Sequence, residues 1–457
     1  MYILAEPSSD TFLVNREVYT SPELFELEMR HIFEGGWVFL GLESQIPKPH
    51  DFFTTWIGRQ PVIVSRDGDG DGQVHGLINA CRHKAAIVCH LRQGNKPTHV
   101  CAYHSWSYDS AGRNRAIKNE RAGAYPKSFE SREHDLARVA RLESYRGILF
   151  GSLNPDVPPL KEHLGDARVF LDLVVDQGAD GLELIPGRVS YTFEANWKMQ
   201  LENCLDGYHL TSAHASYLRL LERRAKQQRN DAPQTVFEYK GWEDPNAALG
   251  TFSFREGHSL LWSSQPASSA HPLFERREDL ERRVGPVRTR WMFNSRNLSI
   301  FPNVQFAENA ALQLRIMRPV AVDKTEMTTY LLGPKGESPD ARRKRIRQYE
   351  DFFNPSGLAT PDDNVSYEDC QKGAGARVVR WSDAYVRGAT ARRSGPNELA
   401  RELGISPMYS LTGAFETYDE TLLQAPFLKW REMLEAAGAP AGSIGAASAY
   451  APERGEI

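Results

Sequence analysis

Apolar positions fall at helical spacing early in the chain, where Leu24, Phe25, Met29, Ile32 and Phe33 follow a Thr20/Glu23 capping-box pattern. The spacing predicts a helix that ends before Gly35-Gly36. From Trp37 to about residue 155 the texture changes to short runs rich in Val, Ile, Phe and Tyr, bounded by Gly, Asp, Asn and Pro: DFFTTWIG, PVIVSR, QVHGLINA, THVCAYHSW and YRGILFGSLN. These predict a small all-β unit. After Asn154-Pro155, helical periodicity over 159–175, 197–226, 339–353, 361–371 and 415–437 is interleaved with strand-like stretches at 184–195, 250–264, 287–293, 311–319 and 326–333. This mixture predicts an α+β unit built on an antiparallel sheet covered by helices. The expected division is an N-terminal helical segment (1–36), the β unit (37–155), the α+β unit (156–435) and an extended or disordered small-residue tail (436–457).

Composition narrows the partners. With 457 residues, 55 Lys+Arg against 59 Asp+Glu and a net charge of -4, the chain lacks the basic field of a nucleic-acid or anionic-membrane binder. The clusters ERRAKQQR (222–229) and RRKRIRQ (342–348) read as solvated helix faces. Runs such as GILFG (147–151) and VFLDLVV (169–175) are far below the roughly 18 residues that span a bilayer. The start MYILAEPSSD carries no secretory pattern. Five cysteines, an odd number, argue for a reducing, cytoplasmic setting in which cysteines serve as ligands or buried thiols. Asp67, Asp69 and Asp71 are spaced as in a calcium loop, but Ile78 stands where a bidentate glutamate is needed, so a hairpin turn is expected.

Two motifs carry chemistry. In the β unit, Cys81-Arg82-His83 is followed seventeen residues later by Cys101-Ala102-Tyr103-His104. Each half offers one thiolate and one imidazole from a tight loop. Such loops hold a [2Fe-2S] cluster with both cysteines on one iron and both histidines on the other, and neutral imidazoles raise its potential for one-electron relay. A structural zinc site of the same four residues is the competing reading. His75, His90 and His99 belong to neither pair and read as surface or hydrogen-bonded imidazoles.

In the α+β unit, Asn203, Asp206 and His209 recur at intervals of three, on one side of a helix. His214 lies five residues beyond His209, about 140° round a regular helix. Both imidazoles reach one ion only if the helix bends or ends, and Leu210-Thr211-Ser212 offers a place. Two histidines and one carboxylate leave open positions on Fe(II), the arrangement of non-heme iron oxygenases. The third ligand could be Asp206, close along the helix, or a residue of Thr360-Pro361-Asp362-Asp363. The latter also reads as a plain helix start, with Thr360 as N-cap and Asp363 three residues on.

C-x-H-x17-C-x2-H followed by N-x2-D-x-Y-H-x4-H resembles, across nearly the whole chain, the large subunit of Rieske non-heme iron aromatic-ring-hydroxylating dioxygenases. The stretches IFEGGWVFLGLESQIP, FFTTWIGRQPVIVSRD, VDKTEM and RIRQYEDFFNPSGLATPDD are similar to the benzoate, toluate and anthranilate branch. The resemblance implies a Rieske domain beside a helix-grip-type catalytic domain. It implies that Cys81, His83, Cys101 and His104 hold the cluster, that His209, His214 and Asp363 hold the mononuclear iron, and that Asp206 bridges the two sites between neighbouring protomers. Also implied are an α3 or α3β3 assembly with a small subunit, and a reductase that draws on NADH. The expected reaction inserts both atoms of O2 into an aromatic carboxylate to give a cis-dihydrodiol; the alternative is a monooxygenase acting on a substituted acid such as salicylate or anthranilate. Arg290, Arg315 and Arg318 are candidate carboxylate partners, each also open to an ion pair on the sheet's outer face. Ser105 stands where the family commonly has glycine, and Lys84 where arginine is common.

Overall fold

The computed structural model describes residues 2–6, 11–68, 72–226, 248–265, 267–309, 311–383, 385–414 and 418–436. Asp69 and Asp71 of the expected hairpin, the end of the 222–229 cluster and the expected tail from 437 onward lie outside them.

The first helix spans Pro22–Glu28 and continues as a wider turn over Met29–Phe33. Its cap is Ser21 rather than Thr20: Ser21 Oγ accepts from Leu24 N at 3.3 Å, and Pro22 takes the first position, where no amide donor is needed. Leu24, Met29, Ile32 and Phe33 are buried in one core with Trp197 and Trp430. Within this core Glu28 accepts from Lys198 Nζ (2.5 Å), Trp197 Nε1 (2.8 Å) and Trp430 Nε1 (2.7 Å), tying three distant segments together.

The β unit begins with a four-stranded antiparallel sheet, in the order Val74–Ile78, Gln60–Arg66, Asp51–Ile57, Gln93–Asn95. A three-stranded sheet of Thr98–Val100, Ser107–Asp109 and Asn114–Ala116 follows. A third pairs Val38–Leu42 with the hairpin Arg141–Tyr145/Ile148–Ser152, whose turn residues Arg146 and Gly147 both have positive φ, as a tight two-residue hairpin requires. Of THVCAYHSW only the first three residues form strand; Cys101–Trp106 is a turn that projects from the sheet.

A nine-stranded sheet organises the rest. In spatial order its strands are Leu182–Phe193, Lys324–Pro334, Leu312–Ala321, Val304–Glu308, Ser295–Ile300, Ser259–Ser263, Ala248–Ser253, Tyr409–Ala414 and Arg393–Ser394. Every pairing is antiparallel. The helices Trp197–Asn203 and Thr360–Ala374 are tied to it and to each other: Gln305 Nε2 donates to the Gln200 carbonyl at 3.2 Å, and Tyr367 Oη donates to Gln200 Oε1 at 3.3 Å.

Several expectations are corrected. The stretch 287–293 is not strand but the end of the helix Arg277–Phe293, which breaks at Gly285 (φ 82°) and restarts with Pro286, a residue suited to a first helical turn. Residues 250–264 are a hairpin rather than one strand, turning at Gly257 (φ 88°). The helical run 197–226 is three pieces: Trp197–Asn203, Leu210–Ala213 and Ala215–Lys226.

Candidate metal and substrate site

The two Cys/His loops meet at one end of the β unit. His83 Nδ1 and His104 Nδ1 lie 3.0 Å apart, and the His83 ring stacks on Trp106 at 5.1 Å, which fixes its plane. Cys81 and Cys101 are buried, and the Tyr108 hydroxyl lies 3.3 Å from Cys81 Sγ. Tyr103 stands exposed beside His104. Two facing imidazole nitrogens and two buried thiols are the donor set of a two-iron cluster. Ser105, where glycine is common, has φ 61° and donates its N–H to the Cys101 carbonyl at 2.9 Å, which explains the preference for a residue without Cβ.

The other histidines stay apart. His75 lies by Arg138 (3.0 Å) and Asp67 (3.8 Å), and His90 is exposed. His99 is buried edge-on to Phe52, and burial pushes its imidazole down to about 4.

The second constellation forms where the helix stops. The chain is helical to Asn203, turns through 204–209, then makes one short turn, Leu210–Ala213, with His209 before it and His214 after it. The breaks therefore fall on either side of Leu210-Thr211-Ser212 rather than within it. They turn both imidazoles inward: His209 Nε2 and His214 Nε2 are 3.2 Å apart. Asp363 Oδ1 arrives from the helix Thr360–Ala374, 3.1 Å from His214 Nε2 and 3.5 Å from His209 Nε2. Among the described residues this is the one group of three such side chains whose ligand atoms all converge within 4.8 Å. Two ring nitrogens facing each other and a carboxylate oxygen demand a shared proton or a cation between them, and the donor set suits iron(II).

The helix start expected at Thr360 is different. The N-cap position is Ala359, which has no side chain to cap with, and Asp363 makes no cap bond; its carboxylate accepts from Asn203 Nδ2 at 3.1 Å. Burial works against its charge, but His214 and His209 outweigh it and hold the Asp363 carboxyl below the usual carboxylate range. Asp206 is not in the converging group; its Oδ2 lies 3.1 Å from His209 Nδ1, on the far side of that ring. Asp362 plays the matching part for His214, at 3.4 Å from Nδ1.

The side chains of His209, His214 and Asp363 open onto a cavity of about 100 Å³. Register explains its wall. Leu249, Ser263 and Ser295 are direct cross-strand partners, as are Leu261 and Asn297, so all five face one side of the sheet. Arg315 joins them two strands away, opposite Gln305. Leu210, Phe352 and Tyr418 close the other side. The cavity volume is of the same order as the roughly 150 Å³ of an enclosed cavity that takes one benzene ring.

Of the three candidate arginines, Arg290 lies on a helix and pairs with Glu402 on the surface. Arg318 pairs with Glu326 at 3.0 Å and covers Trp56. Only Arg315 reaches the cavity. Burial opposes its charge, while Cys204, Tyr367, Tyr191 and Asp363 around it hold the guanidinium above its ordinary value. Asn203 and Asn297 also line the cavity, and Gln313 touches it through Arg315, whose Nε donates to Gln313 Oε1. Asn203 stands within the second motif, whereas strand residues such as Asn297 and Gln313 carry no local signal.

Comparison with known proteins agrees with this geometry. Residues 36–140 match the Rieske [2Fe-2S] domain and residues 184–401 the ring-hydroxylating alpha subunit catalytic domain. The chain is 42% identical over 422 residues to the toluate 1,2-dioxygenase alpha subunit of Pseudomonas putida, covering 92% of this chain and 90% of that protein. It is also 42% identical over 431 residues to the 2-halobenzoate 1,2-dioxygenase large subunit of Burkholderia cepacia, covering 94% and 90%. Among solved structures, naphthalene 1,2-dioxygenase from Rhodococcus sp. bound to indole superposes with a TM-score of 0.75 at 26% identity, over 94% of this chain and 95% of that one. The chain belongs to the alpha, or large, subunits of the Rieske non-heme iron ring-hydroxylating oxygenases.

Proposed function

We propose that this chain is the terminal oxygenase subunit of a dioxygenase that converts a single-ring, benzoate-like aromatic carboxylate to its cis-dihydrodiol. The observation that carries this reading is the convergence of His209, His214 and Asp363 on a small cavity that also presents Arg315. His209, His214 and Asp363 would hold the mononuclear iron; Cys81, His83, Cys101 and His104 would hold the Rieske cluster. Together these groups supply single electrons and O2 activation. The chain's own residues do the rest. Leu210, Leu249, Leu261 and Phe352 hold the ring and exclude water. Asp206 fixes the proton of His209 on Nδ1, leaving Nε2 free as a ligand.

Asp206 lines the cavity with Tyr208 exposed two residues on, and His104 and Tyr103 lie in the turn of the second Cys/His loop, with Tyr103 exposed. Such a turn suits docking between copies, with Asp206 linking its own His209 to His104 of the partner subunit. The assembly is then an α3 or α3β3 oligomer with a small subunit, supplied with electrons from NADH by a reductase. Among the described residues no helix is long and apolar enough to cross a membrane, and the five cysteines are free, as a cytoplasmic enzyme requires.

The test is turnover of a benzoate panel with a compatible reductase and NADH. A dihydrodiol from benzoate or a ring-substituted benzoate is expected. NADH consumption without any oxygenated product from any member of the panel would overturn the proposal.

A further inference from the structure

Among the described residues three arginines are almost fully buried within the sheet and its covering helices, and they are not alike. Arg296 is paired with Glu308, which faces it directly on the neighbouring strand. Arg345 is paired with Glu337 at 3.0 Å. Arg315 has no carboxylate within ion-pair distance among the described residues, although Asp363 lies near enough to favour its charge. A buried cation without an anion is costly, and proteins pair or neutralise such groups. The exception is therefore informative, and it stands on the cavity wall.

The side chain is also held in place. Its Nε donates to Gln313 Oε1 at 2.6 Å, and its guanidinium lies over the Phe353 ring at 5.2 Å. Gln313 in turn donates from Nε2 to Asn354 Oδ1 at 3.4 Å, and Asn354 Oδ1 accepts from Thr329 Oγ1 at 2.7 Å. This buried chain uses the single inner N–H and fixes the plane of the fork. Its terminal nitrogens meet no carboxylate among the described residues. The fork lines the cavity beside the Cys204 thiol, its hydrogen-bond neighbour, and a planar guanidinium facing a cavity is the complement of a carboxylate.

We infer that Arg315 is the substrate-anchoring residue, receiving the ring carboxylate on its terminal nitrogens, and that Gln313 is the positioning residue that orients it. This rests on the reading of the chain as an aromatic-carboxylate oxygenase and names the residue that makes it one. The anion supplied by the substrate completes a pair that the protein leaves open. Anchoring one end of a ring in so small a cavity also sets which ring edge meets His209, His214 and Asp363.

The test uses cluster- and iron-loaded enzyme under anaerobic conditions, with benzoate and its neutral isostere nitrobenzene as probes and calorimetric dissociation constants as the readout. Wild-type enzyme should prefer benzoate by ~100-fold or more, the scale of a buried charge-assisted pair. Arg315→Gln should weaken benzoate by ~100-fold and nitrobenzene by less than ~3-fold, raising KM more than it lowers kcat. Arg315→Lys, which keeps the charge but loses the fork, should restore about a tenth of benzoate affinity. Equal affinity of the wild type for both probes, which needs no variant to fold, would overturn the inference. So would equal losses for both probes in an iron-replete Arg315→Gln. If wild-type enzyme makes product from aromatic acids while these constants do not discriminate, only the role of Arg315 fails. If it makes none, the functional reading fails first.

Discussion

Replacing Asp363 with alanine separates a metal ligand from a helix residue. As a cap, a carboxylate at this position would be worth about 1 kcal/mol. Here the helix takes its N-cap at Ala359 without any side-chain bond, so the capping loss should be close to zero. In metal-free protein the variant loses the acceptor of Asn203 Nδ2 (3.1 Å) and the partner of His214 Nε2 (3.1 Å), while a buried charge is also removed. Those effects oppose each other, and a net loss of about 1–3 kcal/mol is expected. Iron binding has the greater effect: at a thousandfold excess over Kd it stabilises the native state by about 4 kcal/mol, and the variant should lose most of that. The assay is iron and acid-labile sulfide per chain, with thermal unfolding before and after anaerobic addition of Fe(II). Wild type should hold the cluster iron plus one further iron and gain stability on loading. Asp363→Ala should keep the cluster iron and sulfide, lack the further iron and gain nothing. Retention of that iron at full occupancy would refute the reasoning.

Three further substitutions address other parts of the account. His83→Cys adds a thiolate to the pair formed with His104 and should lower the cluster potential by on the order of 100 mV or more, measured by redox titration; an unchanged potential removes His83 from the ligand set. Asp206→Ala should leave the cluster reducible and the mononuclear iron largely bound yet slow cluster reoxidation on mixing with O2 and substrate, and reoxidation at the wild-type rate in stopped flow would end its bridging role. Glu202→Gln tests pH linkage: burial pushes Glu202 up to about 7, against the opposing pull of Tyr19, Tyr385 and Lys198. The folded state therefore holds this proton more tightly than the unfolded chain does. Its stabilising contribution, on the order of 3 kcal/mol, is complete below about pH 4.5 and is lost as pH rises through about 7. The melting temperature of the variant should fall less than that of wild type between about pH 5 and pH 8, and parallel curves would contradict this.

The chemistry is most legible in the sequence where it is local. Cys81/His83 and Cys101/His104 sit in tight turns, and their spacing alone brings each pair together. His209 and His214 are equally visible, but the helix breaks that aim them fall a few residues from where the spacing puts them, at 204–209 and at His214. Asp363 cannot be separated from a cap by sequence, because only the fold shows that the helix starts one residue earlier, on an alanine. The strand Ser295–Ile300 escapes a pattern reading for a related reason. Its buried Arg296 reads as a surface residue until Glu308 is found opposite it. Conversely, VRTRWMF at 287–293 has strand-like composition, yet Gly285-Pro286 restarts a helix there, with Trp291 packed into the core. Arg290, Arg315 and Arg318 look interchangeable along the chain. Pairing in three dimensions distinguishes them.

The central claim is that this subunit places both atoms of O2 on one aromatic carboxylate. It is tested most directly by turning over benzoate, or whichever ring-substituted benzoate the enzyme accepts best, with reductase and NADH under 18O2, and weighing the product by mass spectrometry. The account predicts a cis-dihydrodiol carrying two 18O atoms per molecule. A product carrying a single 18O, with the other O2 atom recovered in water, would contradict it.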